Sequence, residues 1–119
     1  MNRYIYRVFA AVLTAITIFS CKDVRNGEVY RLLTDVDSYI ESRPDSALAV
    51  LEGIYVEDLG SREEKAKYAL LMSMALDKNY IDRTDFEVLQ SAIDYYEDHG
   101  TATDKLRTFY YQGRIYYNR

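Results

Sequence analysis

The stretch "RPDSALAVLEGI", residues 43–54, decides how the middle of the chain folds. A residue before proline is pushed away from helical dihedral angles, whereas proline itself suits the first turn of a new helix. We therefore expect one helix to end near Arg43 and a second to begin near Pro44. The apolar side chains of the second helix recur every three or four residues and share one face: Ala47, Leu48, Leu51 and Ile54. Two helices joined by so short a turn form a helix hairpin.

The same spacing of apolar residues appears on both sides of this stretch. Residues 28–42 carry the stripe Val29, Leu32, Leu33, Val36, Tyr39 and Ile40, which predicts the preceding helix. Ser61 and Glu64 have the spacing of a capping box, which predicts the start of a third helix. The core face expected for that third helix consists of Tyr68, Leu71, Met72 and Ala75.

Two further helices are expected in the last third of the chain. Thr84 or Asp85 caps the fourth, and Gly100 ends it because glycine readily adopts the left-handed conformation of a helix stop. Its core face consists of Phe86, Leu89, Ala92, Ile93 and Tyr96. Thr103 or Asp104 starts the fifth, whose expected core face consists of Leu106, Phe109, Tyr110, Gly113, Tyr116 and Tyr117. No segment after residue 21 shows the alternation typical of strands, so the sequence predicts an all-α fold of antiparallel helix hairpins.

The first 20 residues have the three zones of a secretory signal peptide. A short head contains Arg3 and Arg7, an apolar run covers residues 8–19, and the small residues Ser20 and Cys21 follow. The apolar run is shorter than the ~20 residues that cross a bilayer comfortably. Cys21 is the only cysteine, so it cannot form a disulfide within the chain.

The four residues Ile18, Phe19, Ser20 and Cys21 resemble a bacterial lipobox. The resemblance implies that the Cys21 sulfur receives a diacylglycerol, that the chain is cut before Cys21, and that the new amino group is acylated. Two alternatives are an uncleaved anchor helix and an ordinary signal peptide with an uninvolved cysteine. The division expected from this resemblance is a lipoprotein signal peptide at 1–20, a tether at 21–27 and a helical domain at 28–119. We expect a cell-envelope protein held by its lipid in the outer membrane, on either the periplasmic or the surface side.

The helical part resembles the tetratricopeptide repeat family. "FYYQGRIYY", residues 109–117, fits the repeat pattern through Phe109, Gln112, Gly113 and Tyr116. "RPDSALAVLEGI" followed by "KYALLMSMALDKNY", residues 67–80, is similar to the start of helical-repeat lipoproteins of Bacteroides-type bacteria. The step from Tyr68 to Phe109 is 41 residues, against about 34 in the standard repeat. The resemblance implies a tetratricopeptide-like solenoid whose last repeat is incomplete, so the chain is either truncated or needs a partner helix.

Composition argues against several classes of function. Removing Arg3 and Arg7 from the 15 basic residues leaves 13 against 19 acidic residues, a net charge of −6 from Cys21 onward. An acidic domain without a basic stripe is a poor binder of nucleic acid. His99 is the only histidine, and there is neither a second cysteine for a metal site nor a glycine-rich phosphate loop. The sequence therefore predicts a protein that is not an enzyme and that needs no cofactor, no metal and no nucleic acid.

Two kinds of partner remain compatible with the sequence. One is the lipid bilayer, bound through acylated Cys21, and the other is an unknown protein or peptide. The 13 tyrosines suit packing between helices and also suit an exposed interface. In tetratricopeptide repeats the first helix of each hairpin lines the concave face, which makes four residues off the core stripe candidates for partner binding: Lys67, Asn79, Tyr111 and Arg114. A membrane-anchored interaction scaffold is the leading interpretation. The alternative is a glycan-binding lipoprotein of a nutrient-uptake system, using Tyr111 or Tyr117.

Overall fold

The computed structural model describes residues 27–119, and every regular element in that part of the chain is helical. The all-α prediction is confirmed for these residues. The helices are α1 (27–39), α2 (Pro44–Glu52), α3 (Arg62–Lys78), α4 (Gln90–Tyr96) and α5 (Ala102–Asn118), with a 3-10 turn at Val56–Asp58. As predicted, Pro44 is the first residue of α2 and the chain turns just before it.

The start of α3 agrees with the predicted cap, with one change. The Glu64 N–H donates to Ser61 Oγ at 3.1 Å, which satisfies one of the free N–H groups of the first turn. The Glu64 carboxylate accepts from the N–H of Gly60 at 3.2 Å rather than from that of Ser61. The Glu64 side chain therefore holds Gly60, the residue before the cap, and is itself buried.

The end of α3 is a Schellman turn built on an unusual residue. The Tyr80 N–H donates to Asp77 O at 3.0 Å, and the Ile81 N–H donates to Leu76 O at 2.9 Å. Tyr80 takes the left-handed conformation, with φ of 61°, where glycine is the usual choice. Its side chain is 93% exposed, so no packing of the ring requires this conformation.

The fourth helix begins later than the sequence predicted, at Gln90 rather than near residue 85. Asp85 Oδ1 accepts from the Glu87 N–H at 3.0 Å and from Arg83 Nη2 at 3.0 Å. A carboxylate bonded to the N–H two residues on forms a turn that competes with helix initiation. Phe86 thus lies in the connector between α3 and α4, which covers residues 79–89.

The fifth helix begins earlier than predicted, and Thr101 is its cap. The Asp104 N–H donates to Thr101 Oγ1 at 3.2 Å, while the Thr101 N–H donates to Asp104 Oδ2 at 3.3 Å. The pair is a complete capping box, so Asp104 occupies the third helical position.

The face of α5 that packs into the core is also different from the predicted one. Thr108, Tyr111 and Ile115 are buried. The predicted core residues of α5 are instead exposed, and we name them the open face of α5: Leu106, Phe109, Tyr110, Gly113, Tyr116 and Tyr117. The expectation that these residues fill the core was therefore wrong.

Helix α3 lies at the centre of the described domain and packs against α2, α4 and α5. It buries residues on several sides, a broader face than predicted: Ala66, Ala69, Leu70, Leu71, Ser73, Met74 and Ala75. Of the four predicted core residues, Leu71 and Ala75 are buried, whereas Tyr68 and Met72 are only partly buried.

Contacts near the helix ends show how the helices run. Asn79 Nδ2, just after α3, donates to Pro44 O at the start of α2 at 2.9 Å, so α2 and α3 run in opposite directions. Lys78 Nζ at the end of α3 lies 2.7 Å from Glu41 Oε2 just after α1, which places the ends of α1 and α3 together. Helices α1 and α3 therefore run the same way.

The last two helices continue this alternation. Lys105 Nζ near the start of α5 donates to Tyr96 O at the end of α4 at 2.9 Å, so α4 and α5 run in opposite directions. Arg114, in the last third of α5, bonds to Asp77 near the end of α3 at 3.0 Å. Helices α1, α3 and α5 thus run one way, and α2 and α4 run the other.

Candidate partner-binding groove

A groove of about 730 Å³ lies between α3, α5 and the turn that follows α1. We name it the α1–α3–α5 groove, and its lining residues are Glu41, Met74, Asp77, Lys78, Leu106, Arg107, Phe109, Tyr110 and Tyr111. Met74 and Tyr111 are buried and form its floor, whereas Leu106 and Tyr110 are more than half exposed at its edge. The groove therefore combines exposed apolar side chains with charged ones.

One carboxylate, that of Asp37 on α1, connects all three helices. Arg107 Nη1 on α5 donates to Asp37 Oδ1 at 2.8 Å, and Lys67 Nζ on α3 lies 3.7 Å from Asp37 Oδ2. Burial alone would lower the pKa of the Arg107 guanidinium, but its hydrogen bond to Asp37 and the charge of Asp37 raise that pKa. The pair is partly buried, so it fixes α5 against α1 more firmly than a fully exposed pair would.

A second set of ion pairs lies further along the same helices. Arg114 Nε donates to Asp77 Oδ1 at 3.0 Å, and this hydrogen bond raises the pKa of Arg114. Lys78 pairs with Glu41, whose side chain is 63% exposed. Because Glu41 is mostly exposed, we expect it to exchange Lys78 for a positive charge of a partner at small cost, whereas Lys78 is only 25% exposed.

The structure brings three of the four predicted partner-binding residues to the groove helices. Lys67 and Arg114 pair there with Asp37 and Asp77. Tyr111 lies in the floor, and the expectation that it lies off the core stripe was wrong because α5 turns this face toward the core.

Asn79, the fourth predicted residue, instead forms hydrogen bonds at the end of α3 and the start of α2. Its Nδ2 donates to Ala75 O at 2.6 Å and to Pro44 O at 2.9 Å, which ties the end of α3 to the start of α2. Both amide hydrogens are thereby used within the fold. The predicted lipid-attachment residue Cys21 and the lipobox residues Ile18, Phe19 and Ser20 lie outside the described residues.

Sequence reasoning missed the acids and the arginine that shape the groove: Asp37, Glu41, Asp77 and Arg107. Periodicity places such residues on the polar side of a helix but does not say which charges meet. Asp37 and Arg107 are 70 positions apart, and their contact depends on how α1, α3 and α5 stack. Only their position away from the apolar stripes could have drawn attention to them.

Two further observations concern the chemistry available to the described part of the chain. Within residues 27–119, no group of three or more His, Cys, Asp or Glu side chains is placed to hold a metal ion. The helices of the same segment include none that is both long enough and apolar enough to cross a membrane. His99 stacks on Tyr95 with ring centroids 4.7 Å apart and lies beside Asp98, outside the groove.

No family model, no curated protein and no solved structure matches the chain. Its function is therefore inferred from its own residues, above all from the α1–α3–α5 groove and from the segment 18–21.

Proposed function

We propose that this chain is a lipid-anchored, non-catalytic scaffold of the bacterial cell envelope that binds another protein or peptide in the α1–α3–α5 groove. The observation that carries the proposal is the exposure of Leu106 and Tyr110 beside a concave floor of Met74 and Tyr111. Apolar side chains exposed in a concave surface are characteristic of binding sites, and tyrosine is enriched at protein interfaces.

The direction of the helices supports a tetratricopeptide-like solenoid. Helices α1 and α2 form one hairpin, α3 and α4 form the next, and α5 follows in the direction of α1 and α3. The 11-residue connector 79–89 accommodates the extra length between Tyr68 and Phe109. In such a stack the first helices of successive hairpins form one side, which is where the groove lies.

Membrane attachment is assigned to the sulfur of Cys21. Ile18, Phe19 and Ser20 supply the residues that a lipobox requires before the cysteine. Each acyl CH₂ buried in the bilayer contributes about 0.8 kcal/mol, and a single chain binds only marginally, so two or three chains are needed for a lasting anchor. The acidic helical domain then remains beside the membrane, where its groove is open to a partner.

The chemistry of the groove indicates the kind of segment that it binds. Apolar side chains of a partner would lie against Leu106 and Tyr110, while its charged residues would meet Glu41 and Lys78. An amphipathic segment carrying both signs of charge satisfies these conditions. Its affinity should fall only modestly with salt, because the apolar contacts are not screened.

A photoreactive residue at position 41, in the full-length chain produced in its cellular envelope, tests this proposal. Glu41 lines the groove and is not itself a residue of the open face of α5, so the probe contacts whatever occupies the groove. We expect one discrete adduct with another protein at position 41 and none at Ala49, which is exposed on α2. The absence of an adduct, or equal adducts at both positions, would contradict the proposal.

A matched pair of variants makes the same experiment specific. Tyr110→Ala should lower the yield of the position 41 adduct about 5- to 10-fold, as expected for an interface tyrosine. Tyr55→Ala should leave it unchanged, since Tyr55 is 73% exposed and does not line the groove. Saturable glycan binding that Tyr117→Ala abolishes would instead favour the nutrient-uptake alternative. Tyr111, being buried, is less suited to that role.

A further inference from the structure

We propose that two copies of this chain associate through the open face of α5, with the two helices antiparallel and crossing at Gly113. The large side chains of this face, Leu106, Phe109, Tyr110, Tyr116 and Tyr117, are between 59% and 82% exposed. Their spacing places them on the side of α5 opposite to Thr108, Tyr111 and Ile115, which pack into the core.

The order of residues along the open face makes it self-complementary. Phe109 and Tyr110 precede Gly113 by four and three residues, and Tyr116 and Tyr117 follow it by three and four. Two antiparallel helices that cross at Gly113 therefore place the first aromatic pair of one copy against the second aromatic pair of the other. A two-fold interface requires this self-complementarity. If one residue of the first copy contacts a second residue of the other copy, the reverse contact must also form.

Gly113 allows the two backbones to come close at the crossing point. A Cβ added there would meet no atom within 4 Å, so the surface around it is open within the described residues. Small residues at a helix crossing permit short distances between helix axes, and the aromatic rings on either side then pack edge to face.

The area of the open face matches what a dimer requires. A buried aromatic side chain covers about 150 to 250 Å², so Leu106 and the four aromatic side chains offer at most roughly 700 Å² per copy at their present exposure. A specific and stable interface buries about 800 Å² per partner. A second copy of α5, with some contribution from neighbouring residues, supplies a surface of the right size.

The charges bordering this face do not oppose association. Arg107 is already bonded to Asp37, and Arg114 to Asp77. The Arg119 guanidinium lies over the rings of Phe86 and Tyr116 rather than projecting alone. Arg107 and Arg114 therefore meet the second copy already paired, and Arg119 lies at the end of the face, so we expect the association to depend little on salt.

Disulfide crosslinking in the full-length chain tests both the contact and its direction. Gly113→Cys, expressed in the oxidising envelope, should form a disulfide-linked homodimer on a non-reducing gel, because the two positions meet at the crossing. Leu106→Cys should not, since a rise of 1.5 Å per residue separates the two copies of position 106 by about 21 Å, well beyond disulfide reach. The unchanged chain and Ala49→Cys control for disulfides made through Cys21.

The outcomes separate the alternatives cleanly. Adding Tyr110→Glu and Tyr117→Glu to Gly113→Cys should reduce the homodimer at least 10-fold while the helical circular dichroism signal is retained, since both tyrosines are exposed. A monomeric Gly113→Cys chain, equal crosslinking at Leu106→Cys, or an adduct of Gly113→Cys with a different protein only would each overturn the proposal. Leu106, Phe109 and Tyr110 also line the groove, so the dimer and a groove partner compete for them. A position 41 adduct that persists when no homodimer forms would show that the failure concerns the dimer alone.

Discussion

At the scale of single residues, Tyr111 shows how position in the fold changes a side chain's chemistry. Burial, with the negative charge of Asp77 adding to it, raises the pKa of Tyr111 to about 12. Because this pKa lies above the ordinary value of 10, the folded chain favours the neutral phenol. The associated stability is fully present below pH 10 and is lost as the pH rises toward 12.

Tyr111→Phe should therefore make the protein less sensitive to alkali. Between pH 9 and pH 11.5, we expect the free energy of unfolding in urea to fall by about 2 kcal/mol more for the unchanged chain than for the variant. Burial also raises the pKa of Tyr96, so the variant should keep part of the dependence. Tyr117→Phe, at an 82% exposed position, should behave as the unchanged chain does, and identical curves for all three proteins would refute the role of Tyr111.

At the scale of secondary-structure elements, two glycines have opposite roles. Gly100 has φ of 84° after α4, and a Cβ there would lie 2.6 Å from Tyr96 Cδ1. Gly113 lies inside α5, where a Cβ would meet open space. The first glycine is required by its conformation, whereas within a single folded chain the second contributes only backbone entropy to the unfolded state.

Gly100→Ala and Gly113→Ala should consequently change stability in opposite directions. We expect Gly100→Ala to lower the free energy of unfolding by about 2 kcal/mol or more, from left-handed strain and the contact with Tyr96. Gly113→Ala should raise it by about 0.5 to 1 kcal/mol. Urea unfolding at a protein concentration low enough to keep the chain monomeric measures both, and changes of the same sign would contradict the helix boundaries described here.

The elements also show how far sequence reasoning reaches. Periodicity and proline predicted five helices and the cap at Ser61, because these depend on neighbours along the chain. The core face of α5 could not be predicted in this way, because tyrosines lie on both sides of the helix. The side with more tyrosines is the exposed one. The start of α4 was missed because Asp85 bonds to the Glu87 N–H, a local competition that apolar spacing does not report.

At the scale of the whole molecule, the groove depends on how helices stack, whereas the proposed anchor depends on four adjacent residues. The groove results from stacking α1, α3 and α5, and its charge pairs join residues as far apart as Asp37 and Arg107. No pattern in the sequence predicts such a contact. The proposed anchor, in contrast, depends on Ile18, Phe19, Ser20 and Cys21, four neighbours whose order alone is informative.

An intact-mass measurement of the protein purified from its own cells tests most directly whether the chain is tied to the envelope by lipid. We expect a chain that begins at Cys21 and carries the added mass of a diacylglycerol and an amide-linked acyl group. Cys21→Ser should abolish the lipid mass and should leave residues 1–20 in place. A wild-type chain that retains residues 1–20, or one that begins near Cys21 with a free thiol, would contradict the lipid anchor.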